Sequence, residues 1–199
     1  MYQFLPAPDV AGKETEFTFW DDGFSDGELQ LIIKLGEALR LDKAIVGAEN
    51  GVEDPSIRVS KVSWIEYSNC PWLYDRLAYI TRQINGQYYN FDLYGFAENM
   101  QFTVYESNAD GQGHYGWHID KGYSPGGAPR KLSMVLQLSD PDEYEGGDLE
   151  LLYSKQPVAM EKKKGRVYFF PSYTLHQVTP VTKGTRRTLV VWVAGPKFK

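Results

Sequence analysis

The stretch Gly113-His114-Tyr115-Gly116-Trp117-His118-Ile119-Asp120-Lys121-Gly122 decides how the rest of this chain is read. Side chains two apart on an extended strand project from one face, so the imidazole of His118 and the carboxylate of Asp120 converge on one point. That supplies two metal ligands, and a third has to come from elsewhere. The chain has 3 histidines. His114 lies too near, which leaves His176, beyond several strand-like segments. Two neutral imidazoles and one carboxylate suit Fe(II), with three adjacent coordination positions left for a cosubstrate and O2. The same ligands suit zinc with a water in its open position.

Ten positions after His176, Arg186 precedes a strand-like run, Arg187-Thr188-Leu189-Val190-Val191-Trp192-Val193. A guanidinium there is suited to hold a carboxylate through two parallel hydrogen bonds.

Taken together, these residues resemble the iron- and 2-oxoglutarate-dependent dioxygenases, in particular their prolyl 4-hydroxylase-like branch. Tyr115-x-x-His118-x-Asp120 matches the branch's tyrosine spacing, and Glu145-Gly146-Gly147-x-Leu149 matches its central turn. Gly165-Arg166-Val167-Tyr168-Phe169-Phe170-Pro171 matches the strand before the distal histidine. The likeness runs over roughly residues 97–194.

The resemblance implies that His118, Asp120 and His176 hold Fe(II) and that 2-oxoglutarate chelates the iron. O2 takes the remaining position, and ascorbate serves as a reductant. It further implies hydroxylation of an unactivated C–H bond with release of succinate and CO2. The substrate it implies is a peptidyl proline in a peptide or protein; a free amino acid or other small metabolite is the alternative. Its spacing selects Arg186 for the far carboxylate of 2-oxoglutarate, where the branch often has lysine. Alternation along the strand then puts Thr188 in phase with Arg186 and turns Arg187 outward. Tyr105 matches the tyrosine that donates to the same carboxylate, although Ser107-Asn108-Ala109-Asp110-Gly111 lengthens the gap to His118. Tyr115 matches the one directed at substrate. Trp117, Tyr123, Tyr173 and Trp192 are candidates to enclose the substrate. An aspartate at position 120 argues against the related halogenases, which need that ligand position free for halide.

With 199 residues the chain fits one domain, residues 1–96 supplying supporting strands and helices and 97–194 the catalytic core. A net charge of −5 gives no electrostatic footprint for nucleic acid. The single cysteine, Cys70, suits a reducing compartment. The start Met1-Tyr2-Gln3-Phe4-Leu5-Pro6 has no basic leader and no run spans a bilayer, so the expectation is a cytoplasmic protein away from membranes.

Along the chain, Phe17 to Trp20 alternates like a strand, and Ser25-Asp26-Gly27-Glu28 caps an amphipathic helix ending near Leu41. Residues 46–55 and the glycine- and proline-rich segment 122–130 are candidate loops over the site. Ile57 to Glu66 reads as a strand, and Pro71 opens a second helix through Ile84. Met100, Phe102 and Val104 alternate with Gln101, Thr103 and Tyr105. Short strands follow over 131–138, 148–153, 165–170, around His176 and over 187–194. Several short alternating strands with regular turns argue a sandwich or closed double-sheet jelly roll, and the predicted fold is mostly β with flanking helices: a double-stranded β-helix (jelly roll) core with the N-terminal helices bracing one sheet.

Two other function classes fit parts of the pattern. One is a jelly-roll module that holds a metal and a carboxylate ligand without turnover. The other is a zinc hydrolase, which needs a general base beside the metal-bound water, with Glu145 or Asp148 as candidates. Oligomeric state is not legible in the sequence.

Overall fold

Alternation in Met100-Gln101-Phe102-Thr103-Val104-Tyr105 sets the two faces of the central sheet. The computed structural model of the chain describes residues 15–46, 52–108 and 111–197. In it Met100, Phe102 and Val104 are buried against two helices, in one core with Leu29, Ile32, Leu73, Leu77 and Ile80. Gln101, Thr103 and Tyr105 face the other way, toward the opposing sheet.

The strands are β1 (Thr18–Trp20), β2 (Asp42–Lys43), β3 (Arg58–Val59), β4 (Lys61–Ile65), β5 (Gly95–Phe96), β6 (Met100–Asn108), β7 (Gly111–Gln112) and β8 (His114–His118). They continue with β9 (Arg130–Gln137), β10 (Tyr144–Gly146), β11 (Leu149–Leu152), β12 (Val158–Ala159), β13 (Val167–Pro171), β14 (Leu175–Val178) and β15 (Val181–Ala194). The larger sheet runs β1-β13-β9-β15-β6-β4-β2 and the smaller β12-β11-β14-β8-β3. The named pairs are antiparallel, and the two sheets form the jelly roll that the sequence predicts. The helices α1 (Asp26–Ala38) and α2 (Pro71–Ile84) cover the outer face of the larger sheet.

Helix α1 starts at the predicted capping box, with the Ser25 side chain accepting from Glu28 N–H and Glu28 reaching back to Ser25 N–H. It stops at Ala38, earlier than predicted, because Leu39 turns extended and the chain peels off into β2 at the sheet edge. Near its end Gly36 lies flat on the Phe102 ring, with no space for a side chain.

Two sequence expectations change. The single strand over Ile57 to Glu66 is divided: Arg58 and Val59 pair with Tyr115 and His114 in the smaller sheet, whereas Lys61 to Ile65 pair with β6 in the larger. The chain crosses between sheets at Ser60 and ties them together at one side of the sandwich. The last strand is longer than predicted, from Val181, so Arg186 sits in its interior rather than at its start. Its first half contains Gly184, a glycine with φ +75.

Of the candidate loop 46–55, residues 47–51 lie outside the described residues; Val46 and Val52 flank them as an isolated bridge. Among the described residues no helix is long and apolar enough to cross a membrane.

Candidate metal and cosubstrate site

The smaller sheet places the two histidines side by side. β8 and β14 pair with His118 opposite His176, and the ring centroids lie 4.1 Å apart. Asp120 follows just beyond the end of β8, with its Oδ1 3.7 Å from His118 Nε2 and its Oδ2 3.5 Å from His176 Nε2. One ligand atom from each of the three residues falls within 4.8 Å of the others. That is the grouping expected of ligands around one ion.

Both imidazoles are oriented by the backbone. His118 Nδ1 lies 2.8 Å from the Gly116 carbonyl oxygen and His176 Nδ1 2.9 Å from that of Thr174. A carbonyl only accepts, so the proton is on Nδ1 in both rings and each Nε2 lone pair is left for the centre. Burial, reinforced by the neighbouring His176, pushes the His118 pKa down to about 4, against the pull of the Asp120 carboxylate. His118 is therefore a neutral imidazole at neutral pH, the form a metal requires.

The triad opens into a cleft of about 680 Å³ between the sheets. Among the described residues, three buried side-chain atoms lack a hydrogen-bond partner: Arg186 Nε, Thr188 Oγ1 and Trp192 Nε1. All three residues line this cleft. Buried polar groups are nearly always satisfied, so the unsatisfied Arg186 Nε and Thr188 Oγ1 on one wall point to a polar ligand. Arg186 is 2% exposed, sits 5.5 Å from the Tyr105 ring centroid and is paired with Tyr105 in the β15–β6 ladder. Its strand neighbour Arg187 turns outward to Glu37, Nε to Oε1 2.7 Å.

The other predicted residues divide. Tyr105, Tyr115, Tyr123, Thr188 and Trp192 line the cleft with the triad and Arg186. Tyr115 stacks on His118, centroids 3.5 Å apart and planes 14° apart, and Tyr123 stands on the rim at 68% exposure. Trp117 does not line the cleft. As the strand neighbour of His118 it projects to the opposite side, and it is partly exposed. Tyr173 is likewise outside. Glu145 pairs with Lys183 and Asp148 with Lys162, and neither lines the cleft, so neither stands as a base beside the triad.

Sequence reasoning missed several residues. Arg58 lies over the Tyr115 ring at 4.5 Å and donates to Gln101 Oε1 at 2.9 Å. Arg130, held by Glu98, covers the Trp192 ring at 3.8 Å. Tyr144 is buried against Val181 and Val178 and accepts from Gln137 Nε2 at 2.6 Å, beside Arg186 in a small cavity next to the cleft. Tyr144 immediately precedes the Glu145-Gly146-Gly147 turn, and that adjacency was the one available signal.

Residues 100–194 match the family model of the 2OG-Fe(II) oxygenase superfamily. A PKHD-type hydroxylase of Prochlorococcus marinus is 42% identical over 79 residues, covering 40% of this chain and 35% of that protein. One from Xylella fastidiosa is 33% identical over 102 residues, covering 47% and 43%. The matched region thus spans less than half the length of these curated relatives. Among solved structures, a Pseudomonas putida prolyl-4-hydroxylase is similar with a TM-score of 0.70 and 19% identity, covering 92% of this chain and 94% of that one. A Trichoplax adhaerens prolyl hydroxylase, in complex with a hypoxia inducible factor peptide fragment, gives a TM-score of 0.72 and 19% identity, covering 90% and 84%. At these identities the structural likeness speaks for the fold.

Proposed function

We propose that the chain is an Fe(II)- and 2-oxoglutarate-dependent hydroxylase and that its substrate is a peptidyl proline, a reading supported by the match of residues 100–194 to the 2OG-Fe(II) oxygenase superfamily model. The observation that carries the reading is the pairing of two features in one cleft: the His118–Asp120–His176 grouping and the buried Arg186, whose Nε has no hydrogen-bond partner. The donor set fits Fe(II), and the unsatisfied Arg186 Nε and Thr188 hydroxyl fit the far carboxylate of a dicarboxylic cosubstrate.

Bound iron and 2-oxoglutarate supply the oxidising chemistry, dividing O2 between succinate and the hydroxylated product. The chain's own residues orient and enclose. Carbonyls of Gly116 and Thr174 fix the imidazoles, so that Nε2 of each faces inward. Arg186 anchors the cosubstrate by its far end and Thr188 adds a hydroxyl to the same group. Tyr105 walls the anchor, and its ring excludes water from the guanidinium. Tyr115, held between Arg58 and His118, forms the floor beneath the substrate. The exposed Trp64, Ile45 and Tyr123 along the rim, together with the edge strand β2, give an extended peptide apolar surface and a backbone edge to lie against.

The test is anaerobic titration of Fe(II) and 2-oxoglutarate, following the visible charge-transfer band of the chelate, with Arg186→Ala alongside. Succinate release is then measured with proline-containing peptides and with free amino acids. A band that weakens in the variant, and peptide-stimulated succinate, support the reading. Iron bound without a band overturns the cosubstrate assignment, and stimulation by free amino acids alone overturns the peptide assignment.

A further inference from the structure

Resting on the metal reading above, we propose that Ser133, braced by Ser172, is a positioning residue that keeps one oxygen of Asp120 occupied and reserves the other for the metal. Ser133 Oγ donates to Asp120 Oδ2 at 2.8 Å, and the hydroxyl oxygens of Ser133 and Ser172 lie 3.0 Å apart. Both serines are shut off from solvent, at 0% and 1% exposure.

Proton counting fixes the direction of this chain. A serine hydroxyl has one hydrogen and two lone pairs. The Ser133 hydrogen is spent on Asp120, so Ser172 has to donate to Ser133. The order is Ser172 to Ser133 to Asp120 Oδ2, and each bond polarises the next. Ser133 stands in β9 on the rung between Phe170 of β13 and Trp192 of β15, deep in the larger sheet. A buried hydroxyl in such surroundings is costly unless bonded, and the bonds it makes are to Ser172 and Asp120.

Asp120 needs such a hold. It lies beyond the last residue of β8, so ladder pairing does not fix its carboxylate as it fixes the two histidines. An unrestrained carboxylate ligates through one oxygen or through both. Binding through both uses a coordination position that the cosubstrate or O2 requires. A donor on Oδ2 from the opposite sheet competes with the ion for that oxygen and biases ligation toward Oδ1. The bond also runs from the larger sheet to the residue just beyond the end of a strand of the smaller one.

The experiment uses Co(II) as the probe, added to the wild-type chain, to Ser133→Ala and to Ser172→Ala, with affinity and visible absorption recorded in each titration. Loss of an outer hydrogen-bond partner of this kind weakens metal binding by roughly ten-fold or more. Ser133→Ala is expected to show that loss together with weaker visible bands, because a second Asp120 oxygen raises the coordination number. Ser172→Ala is expected to move both readouts in the same direction by less. Wild-type affinity and spectrum in both variants overturn the proposal. So does weaker binding with an unchanged spectrum, which is what general loosening of the site gives. A wild-type chain that fails to bind Co(II) overturns the metal reading itself, a result distinct from failure of the serine relay.

Discussion

The two glycines of the Glu145-Gly146-Gly147 turn have different jobs, and substituting them separately tells the jobs apart. Gly147 has φ +64, and a Cβ there would come within 2.8 Å of Val181 Cγ2, 3.1 Å of Arg186 Cδ and 3.3 Å of Tyr144 Cε2. Gly147→Ala therefore costs about 1–2 kcal/mol of left-handed backbone strain. It costs about 1–3 kcal/mol more for crowding, which the Arg186 stem and Val181 relieve by moving. Displacing the stem swings the guanidinium off the far-carboxylate position. Losing charge-assisted hydrogen bonds of about 1.5–3 kcal/mol then weakens 2-oxoglutarate binding roughly 10- to 100-fold. Gly146, at φ +70, faces backbone instead: its Cβ would fall on the carbonyl oxygen of Pro180, which already accepts the Gly147 N–H at 3.1 Å. No side-chain rotation relieves that clash, and Gly146→Ala should cost about 4 kcal/mol or more, a large part of ordinary domain stability. Urea unfolding measures both stabilities, and calorimetry in the metal-loaded protein measures 2-oxoglutarate and metal binding. Gly147→Ala should keep its metal affinity while losing 2-oxoglutarate. Wild-type 2-oxoglutarate affinity in Gly147→Ala would refute the link between the turn and the clamp, and a fully stable Gly146→Ala would refute the backbone clash.

Arg186→Ala should lower 2-oxoglutarate affinity by about 100-fold, from loss of a desolvated bidentate pair, whereas Arg187→Ala should leave it unchanged and cost below about 1 kcal/mol of stability through its exposed bond to Glu37; equal effects in binding titrations would overturn the strand phase. Tyr144→Phe should weaken 2-oxoglutarate binding about ten-fold with metal binding intact, because the hydroxyl bonded to Gln137 sits beside Arg186. Hydrogen bonds from Arg166, against the opposing cost of burial and with help from Lys163, hold the Asp21 pKa down to about 2 from an ordinary 3.8. Between those values the unfolded chain binds the extra proton, so stability rises with pH across that window: the contribution is complete above about pH 4 and disappears as pH falls through 2. It is worth about 1–2 kcal/mol after allowance for partial exposure, and Asp21→Asn should flatten that part of the urea-unfolding pH profile, a steep profile in the variant counting against the assignment.

Period-two alternation and turn residues were enough to narrow the fold to a β-sandwich or jelly roll, since each strand with one face toward the core carries its pattern locally. Met100, Phe102 and Val104 behave as their spacing requires, and the Ser25–Glu28 capping box starts α1 where the sequence puts it. What stayed hidden depends on contacts far apart in the chain. The division of residues 57–66 between two sheets follows from the partners of Arg58 and of Lys61, and nothing in their own alternation reveals it. Trp117, aromatic and adjacent to His118, reads in sequence as a wall of the site, but adjacency on a strand is the geometry that takes a residue away from its neighbour's face. Tyr144, Ser133 and Ser172 have unremarkable local spacing and gain meaning only when β9, β10 and β13 pack.

The cleft's electrostatics separate the competing chemistries more sharply than its ligands do, because iron and zinc accept the same two histidines and one aspartate. A zinc hydrolase needs a base beside its water, yet Glu145 and Asp148 are engaged by Lys183 and Lys162 outside the cleft. A buried guanidinium requires an anion, and Arg186 has its Nε unsatisfied on the same wall as the unsatisfied Thr188 hydroxyl. Folding around such a charge is costly unless a ligand completes it. The unsatisfied Arg186 Nε and Thr188 hydroxyl thus fit an anionic ligand in the same cleft as the triad, which a water-activating zinc centre does not need and a 2-oxo dicarboxylate supplies. Binding of 2-oxoglutarate should therefore stabilise the metal-loaded chain by about 2.7 kcal/mol at a ligand concentration one hundred times its dissociation constant. Arg186→Ala should need a correspondingly higher concentration to reach the same gain, and thermal unfolding with and without ligand measures the difference.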